Sequence, residues 1–238
     1  MIQELEHSEE ARAYHLAERQ KSDNHQYLGA LLSPLEIADN STFLDIGCGS
    51  GYVNDYLAAR KPLQRNLGFD FDFDVIRIAQ ETQRNPGGSL WFCASGEEIP
   101  LPDSSVDHIL CRVVLPLVSA NRVAAEIGRI LRSSGTVALS LHPWRFYLPW
   151  FSPSPRNWKR TAAGTVIFTS SLWFNLTGQQ IQLRWGRHRI SQTFQTEFRI
   201  RRLLRKFGLN VYRVVREPEF IVYARSWKQA ARRAVRER

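Results

Sequence analysis

Apolar residues in this chain fall in short blocks divided by polar turns, and the blocks alternate between two periods. Runs at 42–46, 66–69, 90–93, 106–111 and 136–141 are short, mostly apolar and β-branched or aromatic, which predicts buried strands. Between them, 52–60, 74–83 and 119–132 carry apolar residues at helical spacing, with Ser119 as the cap of the third and Val123, Ile127, Ile130 and Leu131 forming its stripe. Strand and helix in alternation predict an α/β fold around a parallel sheet. Ahead of the first strand, 9–20 reads as a polar helix, and Asp23 as the cap of a second one presenting Tyr27, Leu28, Leu31 and Leu32. Beyond the fifth strand, 165–174 and 180–185 read as a hairpin about the turn Asn175-Leu176-Thr177-Gly178. Thr196 then caps a helix with Ile200, Leu203, Leu204 and Phe207 on one face and Gly208 as its stop, and 211–215 and 220–223 read as closing strands.

The first strand departs from a plain core pattern. Asp45 lies inside its apolar run, and a charge there is costly unless it meets a partner. Three glycines at alternate positions follow, Gly47, Gly49 and Gly51, and then the helix at 52. Glycines suit a tight turn with positive φ and the close approach of a ligand to bare backbone, and a helix start offers unpaired N–H groups. The spacing is not the Gly-x-Gly-x-x-Gly of a dinucleotide cofactor. The second strand delivers Asp70 at its carboxyl end, where an acid is placed to accept from both hydroxyls of a ribose; Asp72 reads as the N-cap of the next helix.

The run Leu44-Asp45-Ile46-Gly47-Cys48-Gly49-Ser50-Gly51 resembles the first motif of class I S-adenosylmethionine (SAM) dependent methyltransferases, and Gly68-Phe69-Asp70-Phe71-Asp72 looks like their second. The resemblance covers roughly 40–141 and less clearly 193–225. It implies a doubly wound, mostly parallel seven-stranded sheet with helices on both faces and an antiparallel last strand, to which the aromatic-rich hairpin insertion is added after the fifth strand. It also implies SAM as cofactor, S-adenosylhomocysteine as product, and a cofactor set of Asp45, Gly47, Cys48, Gly49, Gly51, Asp70, Phe71, Ser95, Gly96, Glu97 and Arg112. Many members of the family have Asp where this chain has Ser95, and the run Arg129–Gly135 looks like the turn before their fifth strand, with Ser133-Ser134 in place of its Pro-Gly. Arg112, at the end of the fourth strand, is placed for the acceptor or the SAM carboxylate; pairing with Asp107 or Glu126 is the structural alternative.

On this reading 1–40 supplies helices over the cofactor mouth, 41–142 the SAM-binding core, 143–195 a substrate lid, 196–226 the last helix and closing strands, and 227–238 a basic tail. Ten aromatics lie between Trp144 and Trp185. Such walls exclude water and suit a planar or apolar acceptor, so Tyr14, Trp144, Tyr147 and Trp150 are the substrate-binding candidates. His142, closing the fifth strand, is the candidate general base, ahead of Tyr14, His15 and His188.

Charge refines the choice of acceptor. Of the 32 Lys+Arg and 23 Asp+Glu, residues 184–238 hold 16 and 4. The excess positive charge is therefore C-terminal, which suits nucleic acid, acidic lipid, or a solvated helix face with a frayed basic tail. The fourth strand ends Cys111-Arg112-Val113-Val114, without the Asn/Asp-Pro-Pro-aromatic motif that grips a nucleobase amine. The leading expectation is methylation of an O, N or C atom of a small molecule; alternatives are an RNA-directed methyltransferase and a non-catalytic SAM-binding scaffold. Cys48, Cys93 and Cys111 show no CxxC spacing, which predicts reduced thiols and no metal site. With no run of about 20 apolar residues and a charged first 20 positions, a soluble cytoplasmic protein without membrane contact is expected.

Overall fold

β1 (Thr42–Ile46) is buried at every position, and the sheet grows outward from it on both sides. The computed structural model describes residues 13, 25–151, 158–181, 183–185, 188–190 and 192–227. β1 pairs in parallel with β2 (Arg65–Asp70) and β4 (Val106–Arg112); β3 (Leu90–Cys93) extends the sheet past β2, and β5 (Leu131–Leu141) past β4. At the far edge β9 (Phe220–Ser226) runs antiparallel to β5 and to β8 (Leu209–Val215), giving the order β3-β2-β1-β4-β5-β9-β8. The expected seven-stranded sheet with its antiparallel last strand is present. A separate small hairpin joins β6 (Leu183–Trp185) to β7 (His188–Ile190).

Alternation along the strands divides the core into two layers. On one face α1 (His25–Leu32) and α2 (Tyr52–Ala58) pack Leu28, Leu31, Val53 and Leu57 against Phe43, Leu110, Ala138 and Tyr223. On the other, α4 (Ala120–Ile130) and α7 (Glu197–Lys206) cover Leu44, Ile109, Val137 and Val222. α3 (Phe73–Thr82) begins as expected at Asp72, whose carboxylate accepts from the Asp74 and Val75 N–H groups. Thr196 caps α7 through the Arg199 N–H. Asn54 and Asn66 exchange amide hydrogen bonds with each other's side chain and backbone, fixing α2 to β2 without an unpaired buried donor.

Three local expectations are corrected. Residues 165–174 are not a strand: Trp158–Thr177 forms one helix of 20 residues, α6, preceded by α5 (Trp144–Phe151). The β-branched run suggested a strand, but Gly164, Ile167, Ser171 and Phe174 are buried at helical spacing. The hydroxyls of Thr165, Thr169, Ser171 and Thr177 donate to carbonyls four residues back, which reconciles them with a helix. Ser119 does not cap α4 with its side chain; Glu97 Oε1 takes the Ser119 N–H at 2.9 Å and Gln180 Oε1 the Ala120 N–H at 2.6 Å. The expected turn at 129–135 is mostly strand, because β5 begins at Leu131 and reaches its register on β4 through an irregularity.

Apart from residue 13, the expected helix at 9–20 lies outside the described residues, as do the Asp23 cap, Tyr14, His15, the tail from 228 and the side chains of Trp150 and His188.

Gly128 marks where α4 meets the end of α7: a Cβ there would stand 2.6 Å from the Phe207 carbonyl oxygen. Gly128→Ala should therefore destabilise the fold by about 1–3 kcal/mol despite the better helix propensity of alanine. Thermal melting checks this, since propensity alone predicts a rise.

Candidate cofactor site

The carboxyl ends of β1, β2 and β4 meet where the strand order reverses, the place where open α/β sheets bind ligands. Asp45 sits there, in register with Gly68 and Leu110 and 2% exposed. Its Oδ1 has no hydrogen-bond partner among the described residues. Burial pushes its carboxyl up to about 7, with Arg112 pulling it down and Asp70 adding to the rise. A carboxylate so held is short of a cationic or donor partner.

Past Asp45 the backbone turns through Gly47, Gly49 and Gly51, all at positive φ (70°, 54° and 75°). Two of these glycines also answer to packing. A Cβ on Gly47 would meet Val114 Cγ2 at 2.4 Å, and one on Gly51 would meet the Trp91 ring at 2.2 Å. The Gly47 and Cys48 N–H groups both donate to the Phe69 carbonyl at 2.9 Å, and the Gly49 N–H donates to Asp70 Oδ2 at 3.2 Å. Asp70 thus braces the loop from the neighbouring strand, while its Oδ1 accepts from the Asp72 N–H. Desolvation raises its carboxyl against those bonds. Phe71 is 80% exposed just beyond it, an apolar ring in water at the lip of the site.

The remaining expected residues divide. Gly96 lies near Val114 and Ile46, close to the loop, and Ser95 Oγ accepts from the Glu97 N–H. The Glu97 carboxylate turns to Ser119 and Arg122 at the head of α4. Cys48 is buried beside Asp45 and Asp70, whose charges and the burial push its thiol far up. Arg112 pairs with neither Asp107, which holds Arg132 at 2.6 Å, nor Glu126, which holds Arg129 at 2.7 Å. It donates instead to the Tyr52 hydroxyl and lies over the rings of Tyr27 and Tyr52, with Nε buried and unpartnered among the described residues.

Sequence reasoning missed the groups that carry this cluster onward. Tyr27 donates to Glu219 Oε1 at 2.8 Å, and Ser140 donates to Glu219 Oε2 at 2.9 Å. An acid in the loop before the antiparallel strand was the available signal. Val113, a β-branched residue at φ 56°, was another omission. That strained conformation turns the chain after β4 so that Val114 reaches the glycine loop.

At the end of β5, His142 stacks on Phe146 at 3.7 Å and meets Tyr147 edge-on. Burial lowers its pKa, with Glu219 opposing, so the imidazole is neutral near pH 7. Tyr147 is buried and donates to the Thr193 carbonyl, a packing role, whereas Trp144 is 60% exposed. A cavity of about 790 Å³ opens here, walled by Pro143, Trp144, Phe194, Pro218 and Phe220, with the Arg145–Glu217 ion pair at its lining.

Residues 44–139 match the family model of the methyltransferase domain. Over 114 residues the chain is 25% identical to a malonyl-[acyl-carrier protein] O-methyltransferase of Marinomonas sp., covering 48% of this chain and 42% of that protein. In structure it is similar to a SAM-dependent methyltransferase from Aquifex aeolicus, with TM-score 0.57 and 17% identity over 84% of this chain and 89% of the other. It is also similar to a chain of the Haloferax volcanii complex between the Trm112 methyltransferase activator and a methyltransferase, with TM-score 0.65 and 15% identity over 91% and 97% of the two chains. The chain spans less than half the length of the curated relatives it matches. Residues 44–139 thus carry a methyltransferase domain, and the fold around them is that of SAM-dependent methyltransferases of known structure.

That family uses SAM. The residues fit the group: Asp45 has an unanswered buried oxygen facing a glycine loop of left-handed backbone, and Asp70 stands at the next strand end. Among the described residues there is no cluster of His, Cys, Asp and Glu fit for a metal, and Cys48, Cys93 and Cys111 are free thiols. No described helix is long and apolar enough to cross a membrane.

The raised carboxyl of Asp45 makes a signed prediction. Native Asp45 keeps its proton up to about pH 7, whereas the unfolded chain releases it near 3.8. Between those values the native state binds more protons, so stability falls as pH rises, by roughly 4 kcal/mol. Asp45→Asn abolishes that fall: melting at pH 8 should show the variant more stable than the wild type, and melting near pH 4 should show the two alike.

Proposed function

We propose that this chain transfers the methyl group of SAM to an O, N or C atom of a small aromatic or apolar acceptor. The observation that carries the reading is the placement of two features at the same, carboxyl end of the parallel strands. One is a buried, unanswered carboxylate beside a left-handed glycine loop; the other is an aromatic-walled cavity at the end of β5. SAM bound there would supply a methyl on a positively charged sulfur with a good leaving group. Asp45, Asp70 and the loop amides would hold it, with Gly96 and Ser95 beside it and Arg112 fixing the neighbouring wall.

The protein's remaining task is alignment. Holding acceptor and methyl in line at about 3 Å supplies several kcal/mol of barrier lowering without a covalent step. Trp144, Phe194 and Phe220 exclude water and present flat apolar surface to the acceptor. Neutral His142 is suited to take a proton where the acceptor must lose one, and Glu219 beside it favours the imidazolium that results. The relative that methylates a malonyl-[acyl-carrier protein] supports a small or carrier-bound acceptor without naming this one.

The RNA-directed alternative finds less support among the described residues, where several of the C-terminal cations are already engaged. Arg201 and Arg216 share Glu197, Arg225 pairs with Glu36, and Arg199 is buried against the Asn175 carbonyl.

Calorimetric titration tests the reading. Wild type should bind SAM in the micromolar range, and Asp70→Ala should lose at least about tenfold in affinity, equal to 1.4 kcal/mol. A folded wild type that takes no SAM would overturn it.

A further inference from the structure

The outer face of α6 is unusual for a surface in water. From residue 161 to 183 the sequence has no charged residue, so every exposed position of the helix in that stretch is uncharged. Leu172 is 50% exposed, Trp173 47% and Leu176 71%, and Phe168 lies on the same side one turn earlier. Large apolar side chains grouped along two to three turns mark a contact surface rather than scattered exposure.

The neighbouring helix has the complementary property. Asn175, in the last turn of α6, receives the Thr196 N–H and hydroxyl on its Oδ1, and its carbonyl takes the Arg199 guanidinium. These bonds seat the start of α7 against the end of α6, with Leu176 and Phe198 flanking the joint. Phe198 is 70% exposed, and Arg202, Arg205 and Lys206 follow it on the same face of α7 at helical spacing. Unlike Arg201, Arg202 and Arg205 carry no ion pair among the described residues. An apolar face thus borders a cationic one.

We propose that this combined surface docks on an anionic lipid bilayer, with the α6 face and Phe198 entering the headgroup boundary and Arg202, Arg205 and Lys206 meeting the lipid phosphates. Interfacial helices use this division, apolar burial supplying adhesion and Lys or Arg selecting negative lipid. A nucleic acid would use the cations but leave the aliphatic face in water. A two-fold dimer through the apolar face would leave the cations without an anionic partner. A membrane answers both halves at once. The proposal stands on this surface alone and is independent of the identity of the acceptor.

Vesicle co-sedimentation of the full chain tests it. The chain should pellet with phosphatidylcholine vesicles carrying roughly 30 mol % phosphatidylglycerol and stay in solution with pure phosphatidylcholine, and salt near 0.5 M should release most of it. Leu172→Asp with Leu176→Asp should lower the partition by at least about tenfold, and Arg202→Glu with Arg205→Glu should do so separately. Both variants alter exposed side chains, and unchanged melting and SAM affinity would show them folded. Failure to pellet with the anionic vesicles, or equal pelleting with both compositions, would overturn the proposal. So would a dimer in sedimentation velocity that the Leu172/Leu176 variant abolishes, or RNA retention lost in the Arg202/Arg205 variant without vesicle binding.

Discussion

A carboxylate in the middle of a sheet is the constraint on which this site depends. β1 has strands on both sides and helices over both faces, so Asp45 has no route to bulk water and only Arg112 near enough to oppose the cost. A protein selected for stability alone would place a neutral residue there. Keeping the acid makes sense only where a partner arrives to complete it, and the surroundings prepare for that arrival. The glycine loop is held open by positive φ, Asp70 pins it from β2, and Val113 accepts a strained conformation that brings Val114 against the loop. Arg112 is kept from ordinary ion pairing because Arg132 and Arg129 occupy Asp107 and Glu126.

The half of the molecule that was legible in the sequence is the half where local signals and tertiary need agree. β1, the glycine loop, β2 with Asp70 and the Asp72 cap are all short-range patterns, and each is where the periodicity placed it. Reading failed where a long-range partner decides. The β-branched stretch at 165–174 has strand propensity, but a helix buries Ile167, Ser171 and Phe174 together and satisfies its hydroxyls internally. Ser119 has the identity of a cap, yet Glu97 and Gln180 supply the acceptors from far along the chain. Glu219 carried no motif, and its importance comes entirely from standing between Tyr27 and Ser140.

The link through Glu219 also shows how the site is assembled. Tyr27 belongs to α1, Ser140 to β5 and Glu219 to the loop before β9, so one carboxylate ties the start, middle and end of the described chain at the carboxyl edge of the sheet. Arg112, under the Tyr27 ring, joins that tie to Asp45. The two halves of the proposed reaction centre are thereby coupled by polar contacts. A shift of α1 would be felt at Arg112 and at Glu219 together.

This assembly explains why similarity to known proteins is informative about the cofactor and silent about the acceptor. The family match ends at residue 139, one position before Ser140, and takes in Asp45, Asp70 and Arg112. The cavity walls come from 143–145, 194–197 and 216–220, all beyond it. On the proposed reading, the walls that meet the acceptor are built from the insertion and the closing strands, outside the stretch that holds Asp45, the glycine loop and Asp70. On that reading, selectivity rests on Trp144, Phe194 and Phe220 and on the ion pair between Arg145 and Glu217.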